Sequence, residues 1–145
     1  LDRNYLPALV NIAALACFHN DIAAAGVVLR LLEGGAGKHA VTGSGGVYLG
    51  PASYWLGRLH LTCGRREDAE RQLEMARHES HLVGSVVYRA WSEYYLAQAL
   101  QNEPIRAKAL LDNCRLAAQR FGFTRLIAQL GVAAKDHVAG TRERG

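Results

Sequence analysis

Several things are scarce in this sequence, and each shortage excludes a class. No apolar run approaches the roughly 18 to 20 residues that cross a bilayer, so no membrane span is expected. The first residues, Leu-Asp-Arg-Asn, lack the basic start and apolar stretch of a secretory signal. They also lack an initiator Met, so a segment of a longer polypeptide is expected. Cysteine is limited to Cys17, Cys63 and Cys114. An odd, widely spaced set is no disulfide framework; it fits small buried thiols in a reducing, cytoplasmic setting. Charge of one sign is never massed either. The net charge is +4, but Arg65, Arg66, Glu67, Asp68, Glu70 and Arg71 mix signs within one stretch. That is the pattern of a solvated helix face and argues against direct nucleic-acid binding.

What remains is 145 residues, 50% of them hydrophobic, enough for one globular domain with its own core. The core is written as a repeat. Ala69, Leu73, Ala76, Ser80 and Val83 are spaced 4, 3, 4, 3, and so are Ala107, Leu111, Cys114, Ala118 and Phe121. Each set forms one helical stripe. The two are offset by 38 residues (Ala69 to Ala107), and each is followed by a glycine, Gly84 or Gly122. Ala25, Leu29 and Leu32 are an earlier, shorter copy. Each copy is preceded by another amphipathic segment: Tyr5, Leu9, Ile12 and Ala16; then Leu49, Ala52, Leu56, Leu59 and Cys63; then Trp91 and Tyr94 with Leu96 and Leu100.

Punctuation sets the boundaries. Pro51 and Pro104 stand at first helical positions, Gly84 suits a left-handed helix end, and Ser85 suits the next N-cap. The pattern predicts helices over 4–18, 21–33, 50–63, 66–82, 86–101, 104–121 and 124–139. Short turns make antiparallel hairpins of units 4–33, 50–83 and 86–122, closed by 124–139. A lone hairpin cannot cover its stripes, whereas stacked neighbours can. The expected fold class is therefore all-α, a single helical-repeat domain over 1–145. Residues 33–46, with six glycines, are expected to be a flexible loop.

The second unit resembles the tetratricopeptide repeat. Leu56 and Gly57 meet its first-helix pattern, with His60 where an aromatic is usual. Gly64 is its turn glycine, and Ala69, Leu73 and Ala76 are its second-helix pattern. In the third unit Trp91, Ala107 and Leu111 fit, but Tyr95 stands where the family has a small residue, which leaves the register of that first helix open. The segment from Tyr48 to Leu59 and that from Gly84 to Leu100 also resemble the repeat region of large bacterial ATPase/LuxR-type transcriptional regulators.

The resemblance implies a short right-handed superhelix whose first helices line a concave groove. The groove positions it implies are Val10, Ala14 and Cys17, then Tyr54, Arg58 and Leu61, then Arg89, Ser92 and Leu96. It implies a non-catalytic interaction scaffold without a cofactor, with a protein, a peptide or a neighbouring domain as partner. A homodimer through an exposed stack end is a further expectation. An effector-sensing module for a small ligand is the alternative, and a helical enzyme or nucleic-acid binder stands behind both.

Two motifs invite chemistry and fail on spacing. Gly34-Gly35-Ala36-Gly37-Lys38 has Leu32 and His39 where a phosphate loop requires Gly and Ser or Thr. His60-x-x-Cys63 and His78-x-x-His81 have zinc-ligand residue types, but a helix rise of about 1.5 Å per residue holds the pairs some 15 Å apart. The glutamates fall on polar helix faces, and Cys63 has no activating charge beside it.

Overall fold

The computed structural model describes residues 4–43 and 46–131. Six helices are α1 (Tyr5–Phe18), α2 (Ile22–Leu32), α3 (Ala52–Thr62), α4 (Arg66–Leu82), α5 (Val86–Ala99) and α6 (Pro104–Phe121). Residues 124–131 are also helical, and 132–139 of the expected closing helix lie outside the described residues. No helix among the described residues is long and apolar enough to cross a membrane.

The helix ends obey local chemistry. Asp21 caps α2, its carboxylate accepting from the Ala24 amide at 2.9 Å, and Ser85 caps α5 by accepting from Tyr88 N. Pro104 occupies the first turn of α6, and Gly122 ends that helix with φ 70°. Gly64 and Gly84 take the same left-handed conformation in the turns after α3 and α4.

Each helix packs on the next: α1 on α2, α2 on α3, α3 on α4, α4 on α5, and α5 on α6. First helices also touch one another, α1 with α3 and α3 with α5. The small-residue stripe makes this possible. Ala69, Leu73, Ala76 and Ser80 of α4 are fully buried. At Gly57 the two helices leave no room for a side chain, since a Cβ there would lie 2.5 Å from Leu73 Cγ. At the far end Ala90, Tyr94, Cys114 and Ala118 form a second cluster with Leu126 and Leu130 of the 124–131 helix. Burial pushes the Cys114 thiol up to about 12, and its Sγ donates to Ala90 O at 3.3 Å. All three cysteines are free thiols.

Two expectations need correction. Residues 33–46 are not simply a loop. After a short 3-10 turn (Glu33–Gly35), the strands β1 (His39–Thr42) and β2 (Val47–Pro51) pair antiparallel, with Val41 opposite Tyr48. The helical stack thus carries a small two-stranded sheet. β2 also takes residues expected to begin a helix, so α3 starts at Ala52, with Pro51 as its cap. The hairpin is anchored by side chains. Tyr48 hydroxyl and His39 Nδ1 are 2.7 Å apart, Trp55 Nε1 donates to Leu49 O at 2.7 Å, and Tyr48 meets Tyr88 edge to face. Gly50, at φ 90°, lies under the Tyr88 ring where any side chain would collide.

The second correction concerns the phase of α1. Tyr5 and Ile12 are exposed, whereas Leu6, Leu9, Val10, Ala13 and Ala16 are buried. Nearly every residue of this helix is apolar, so spacing alone cannot choose its inward face.

Candidate functional site

An open groove of about 1000 Å³ runs along one side of the stack. It is lined by α1, α3 and α5, the first helices of the three hairpins, and by residues 122–129, the turn after α6 and the helix that follows it. α1 contributes Asn11, Ala14, Leu15, Cys17 and Phe18. The opposite walls are aromatic: Tyr54 and Trp55 on α3, and Tyr88, Trp91 and Tyr95 on α5, with Phe123 beyond. Tyr88, Trp91 and Tyr95 are three and four residues apart, so they share one face of α5.

At the centre stands Arg58. Its guanidinium carbon lies 4.4 Å from the Tyr95 ring centroid, 5.6 Å from Trp55 and 5.9 Å from Tyr54. Such rings stabilise a cation through their negative faces, by about 0.5–2 kcal/mol each. They cancel no charge, although the Tyr54 hydroxyl also accepts a hydrogen bond from the guanidinium. Among the described residues no carboxylate pairs with Arg58, although five other arginines form ion pairs. The groove lining contains a second guanidinium, Arg125, and, among the described residues, no Asp or Glu.

The titratable groups beside Arg58 are held neutral. Burial raises the Cys17 thiol, with Arg58 opposing it in part, so no thiolate is available near neutrality. Burial likewise raises the Tyr54 and Tyr95 phenols; Arg58 offsets part of that in both, and Arg125 offsets a further part at Tyr95. The groove therefore offers a fixed positive charge on an aromatic surface, with no residue among these poised to move a proton at neutral pH.

The groove positions implied by the repeat resemblance divide into three groups. Ala14, Cys17, Tyr54 and Arg58 line the groove. Val10, Ser92 and Leu96 are instead buried at 1%, 0% and 0% exposure, which corrects their outward placement. Ser92 Oγ donates to Tyr88 O at 2.6 Å, and Leu96 belongs to the main core. Leu61 is half-buried beside that core. Arg89 faces a smaller cleft of about 210 Å³ with Glu74, Arg77, His78 and His81, and it pairs at 3.5 Å with the buried Glu93.

The error in α5 is a single residue. The carried-over positions Arg89, Ser92 and Leu96 each lie one residue after Tyr88, Trp91 and Tyr95, the residues that line the groove. The second helices α4 and α6 keep the 38-residue offset, with Ala76 and Cys114 both fully buried. The first helices are offset by one less: Leu59 corresponds to Leu96, and Arg58 to Tyr95. The turn absorbs the difference, because residues 63–65 join α3 to α4 whereas 100–103 join α5 to α6. The aromatic spacing on α5 was the signal that could have set the register. Trp55, Phe123 and Arg125 had no such signal.

Comparison with protein-family models, with curated proteins and with solved structures gives no match to this chain.

Proposed function

We propose that this chain is a non-catalytic, tetratricopeptide-like interaction scaffold whose groove holds an extended peptide segment of a protein partner or of a neighbouring domain. The observation that carries the reading is the lining itself. α1, α3, α5 and the 124–131 helix each turn residues toward a single open groove, and the faces of α3 and α5 there are largely aromatic. A rigid wall of rings offers large contact area at little cost in side-chain entropy, as peptide-recognition surfaces require. In this reading the stack is a short right-handed superhelix and the repeat segment of a cytoplasmic bacterial regulator of the ATPase/LuxR type, in which groove occupancy alters an attached domain.

A selection from a displayed peptide library against the full chain tests the groove. Enriched peptides should lose most of their binding to Trp91→Ala and keep it toward Ile105→Ala, an 87% exposed position on α6. Peptides indifferent to Trp91 would refute the reading. The regulator assignment is tested separately by the open reading frame that contains these residues, where an ATPase module or a helix-turn-helix domain should adjoin the repeats.

One observation favours a second reading, an effector-sensing module for a small ligand. Arg58 sits against an aromatic wall among a few other polar groups of the lining, Asn11, Thr124, Arg125 and Gln129, the usual composition of a small-molecule pocket. Binding of a small aromatic acid in the absence of any peptide ligand would support it.

A further inference from the structure

We infer that the groove selects an acidic peptide segment, a Glu or Asp side chain flanked by large apolar residues, with Arg58 as the carboxylate receptor. The inference rests on the peptide-groove reading above and names its specificity. Its first support is the unspent charge of Arg58. Three rings hold the guanidinium in place, one of them at 4.4 Å, yet no carboxylate among the described residues pairs with it. The rings and the Tyr54 hydroxyl engage only part of the guanidinium, whose five N–H donors leave others for a carboxylate acceptor.

The second support is the sign of the surroundings. Among the described residues the groove lining carries Arg58 and Arg125 and no acid, whereas Arg71, Arg77, Arg106 and Arg115 of the outer helices pair with Asp68, Glu70, Glu74, Glu103 or Asp112. Charge complementarity thus singles out an anion at this place in the fold. Third, the groove around that cation carries apolar surface, with Leu15 and Phe18 exposed and Trp91 and Tyr95 half-buried, so residues flanking the carboxylate have side chains on which to pack. A polyanion such as nucleic acid needs a track of cations, and two guanidiniums in an aromatic groove do not make one.

The chain supplies its own reporter. It has two tryptophans, Trp55 and Trp91, and both line the groove. Capped pentapeptides of sequence Leu-Phe-Glu-Phe-Leu and Leu-Phe-Gln-Phe-Leu should be titrated into the full chain while tryptophan emission is followed. The two differ only in charge. The Glu peptide should bind about 10- to 100-fold more tightly, the range expected for hydrogen bonds to a charged group. Arg58→Met keeps an apolar stem against the rings and should abolish that preference while leaving the Gln peptide unaffected. Arg58→Lys should keep only part of it.

Equal affinities for the two peptides in the native chain overturn this inference without touching the peptide-groove reading, and need no variant. A Glu preference that survives in Arg58→Met overturns the assignment to Arg58. If neither peptide binds and phenylacetate does, the groove belongs to a small acid and both the inference and the peptide reading fall.

Discussion

Gly57 provides a quantitative test of how tightly the repeat is packed. A Cβ added there would stand 2.5 Å from Leu73 Cγ, 2.8 Å from its Cδ2 and 3.3 Å from its backbone nitrogen. Rotation about χ2 leaves Cγ where it is, and a χ1 change would swing the whole side chain into its packed surroundings, since Leu73 is fully buried. Gly57→Ala therefore forces α3 and α4 apart or displaces Leu73, an overpacking cost of about 1–3 kcal/mol. Alanine also favours the helix over glycine by about 0.8–1 kcal/mol, which offsets part of it.

Gly26 separates the two effects. It lies within α2, and nothing stands within 4 Å of a Cβ added there. Gly26→Ala should show the propensity gain alone, a stabilisation of about 0.8–1 kcal/mol. The difference between the two variants then measures the Gly57–Leu73 contact, at about 1–3 kcal/mol. Urea unfolding followed by far-ultraviolet circular dichroism gives both values, provided the slope is the same in each. A third measurement fixes the cause. Leu73→Ala costs about 2–5 kcal/mol by opening a cavity. In that background Gly57→Ala should reverse sign and become stabilising, since its methyl enters the space Leu73 vacated. Equal shifts from Gly57→Ala and Gly26→Ala, in the same direction, would refute the reasoning.

Three other outcomes follow from buried or capping groups. Glu93 is 3% exposed, its Oε1 has no hydrogen-bond partner among the described residues, and burial raises its pKa against the partial opposition of Arg89. A carboxyl whose native value lies above its unfolded value takes up a proton on folding, so its contribution weakens as pH rises from the unfolded value through the raised one. Glu93→Gln should therefore stabilise the chain by about 1 kcal/mol at neutral pH, with the gain vanishing in acid; thermal melts across pH check it. His60 is buried with Nδ1 unpartnered among the described residues, and burial lowers its pKa from 6.5. Here the native state binds fewer protons, so stability falls as pH drops from 6.5 to the lowered value, and His60→Phe should remove that segment of a stability-versus-pH curve. Asp21→Ala should cost about 1 kcal/mol through loss of the α2 cap while Asp21→Asn costs little, as read from urea midpoints.

Much of the helical order was legible because its signals are local. The bounds of α4 and α6 agree with those expected, since Pro104, Gly84 and Gly122 act within one turn of a helix end. The β hairpin was also local, yet it went unread. Ala40-Val41-Thr42 and Val47-Tyr48-Leu49 are short runs with β-branched residues around a glycine turn, a strand signature outweighed by six glycines in the window. What holds the hairpin is tertiary: the Trp55 indole on Leu49 and the Tyr88 ring over Gly50. Those contacts join residues that spacing along the chain does not connect.

The groove shows why a site can be half legible. Tyr54 and Arg58 lie in the unit with the clearest repeat pattern, and the repeat placed them in the groove. In the next unit the same rule missed by one residue, because the four-residue turn at 100–103 shifts α5 against α6 relative to the preceding pair. One residue is about 100° of helix rotation, enough to exchange a buried face for a groove face. With the corrected register, Tyr94 and not Tyr95 corresponds to Gly57, and it fills its site by packing in the second core cluster with Cys114 and Leu126. Tyr95 then corresponds to Arg58, one rotation further out, which is where it meets that guanidinium. The register change thus moves the departure from the repeat pattern from Tyr95 to Tyr94, a large residue where Gly57 is small. A single inserted turn residue converts two first helices that would have matched into a cation on one and its aromatic platform on the other.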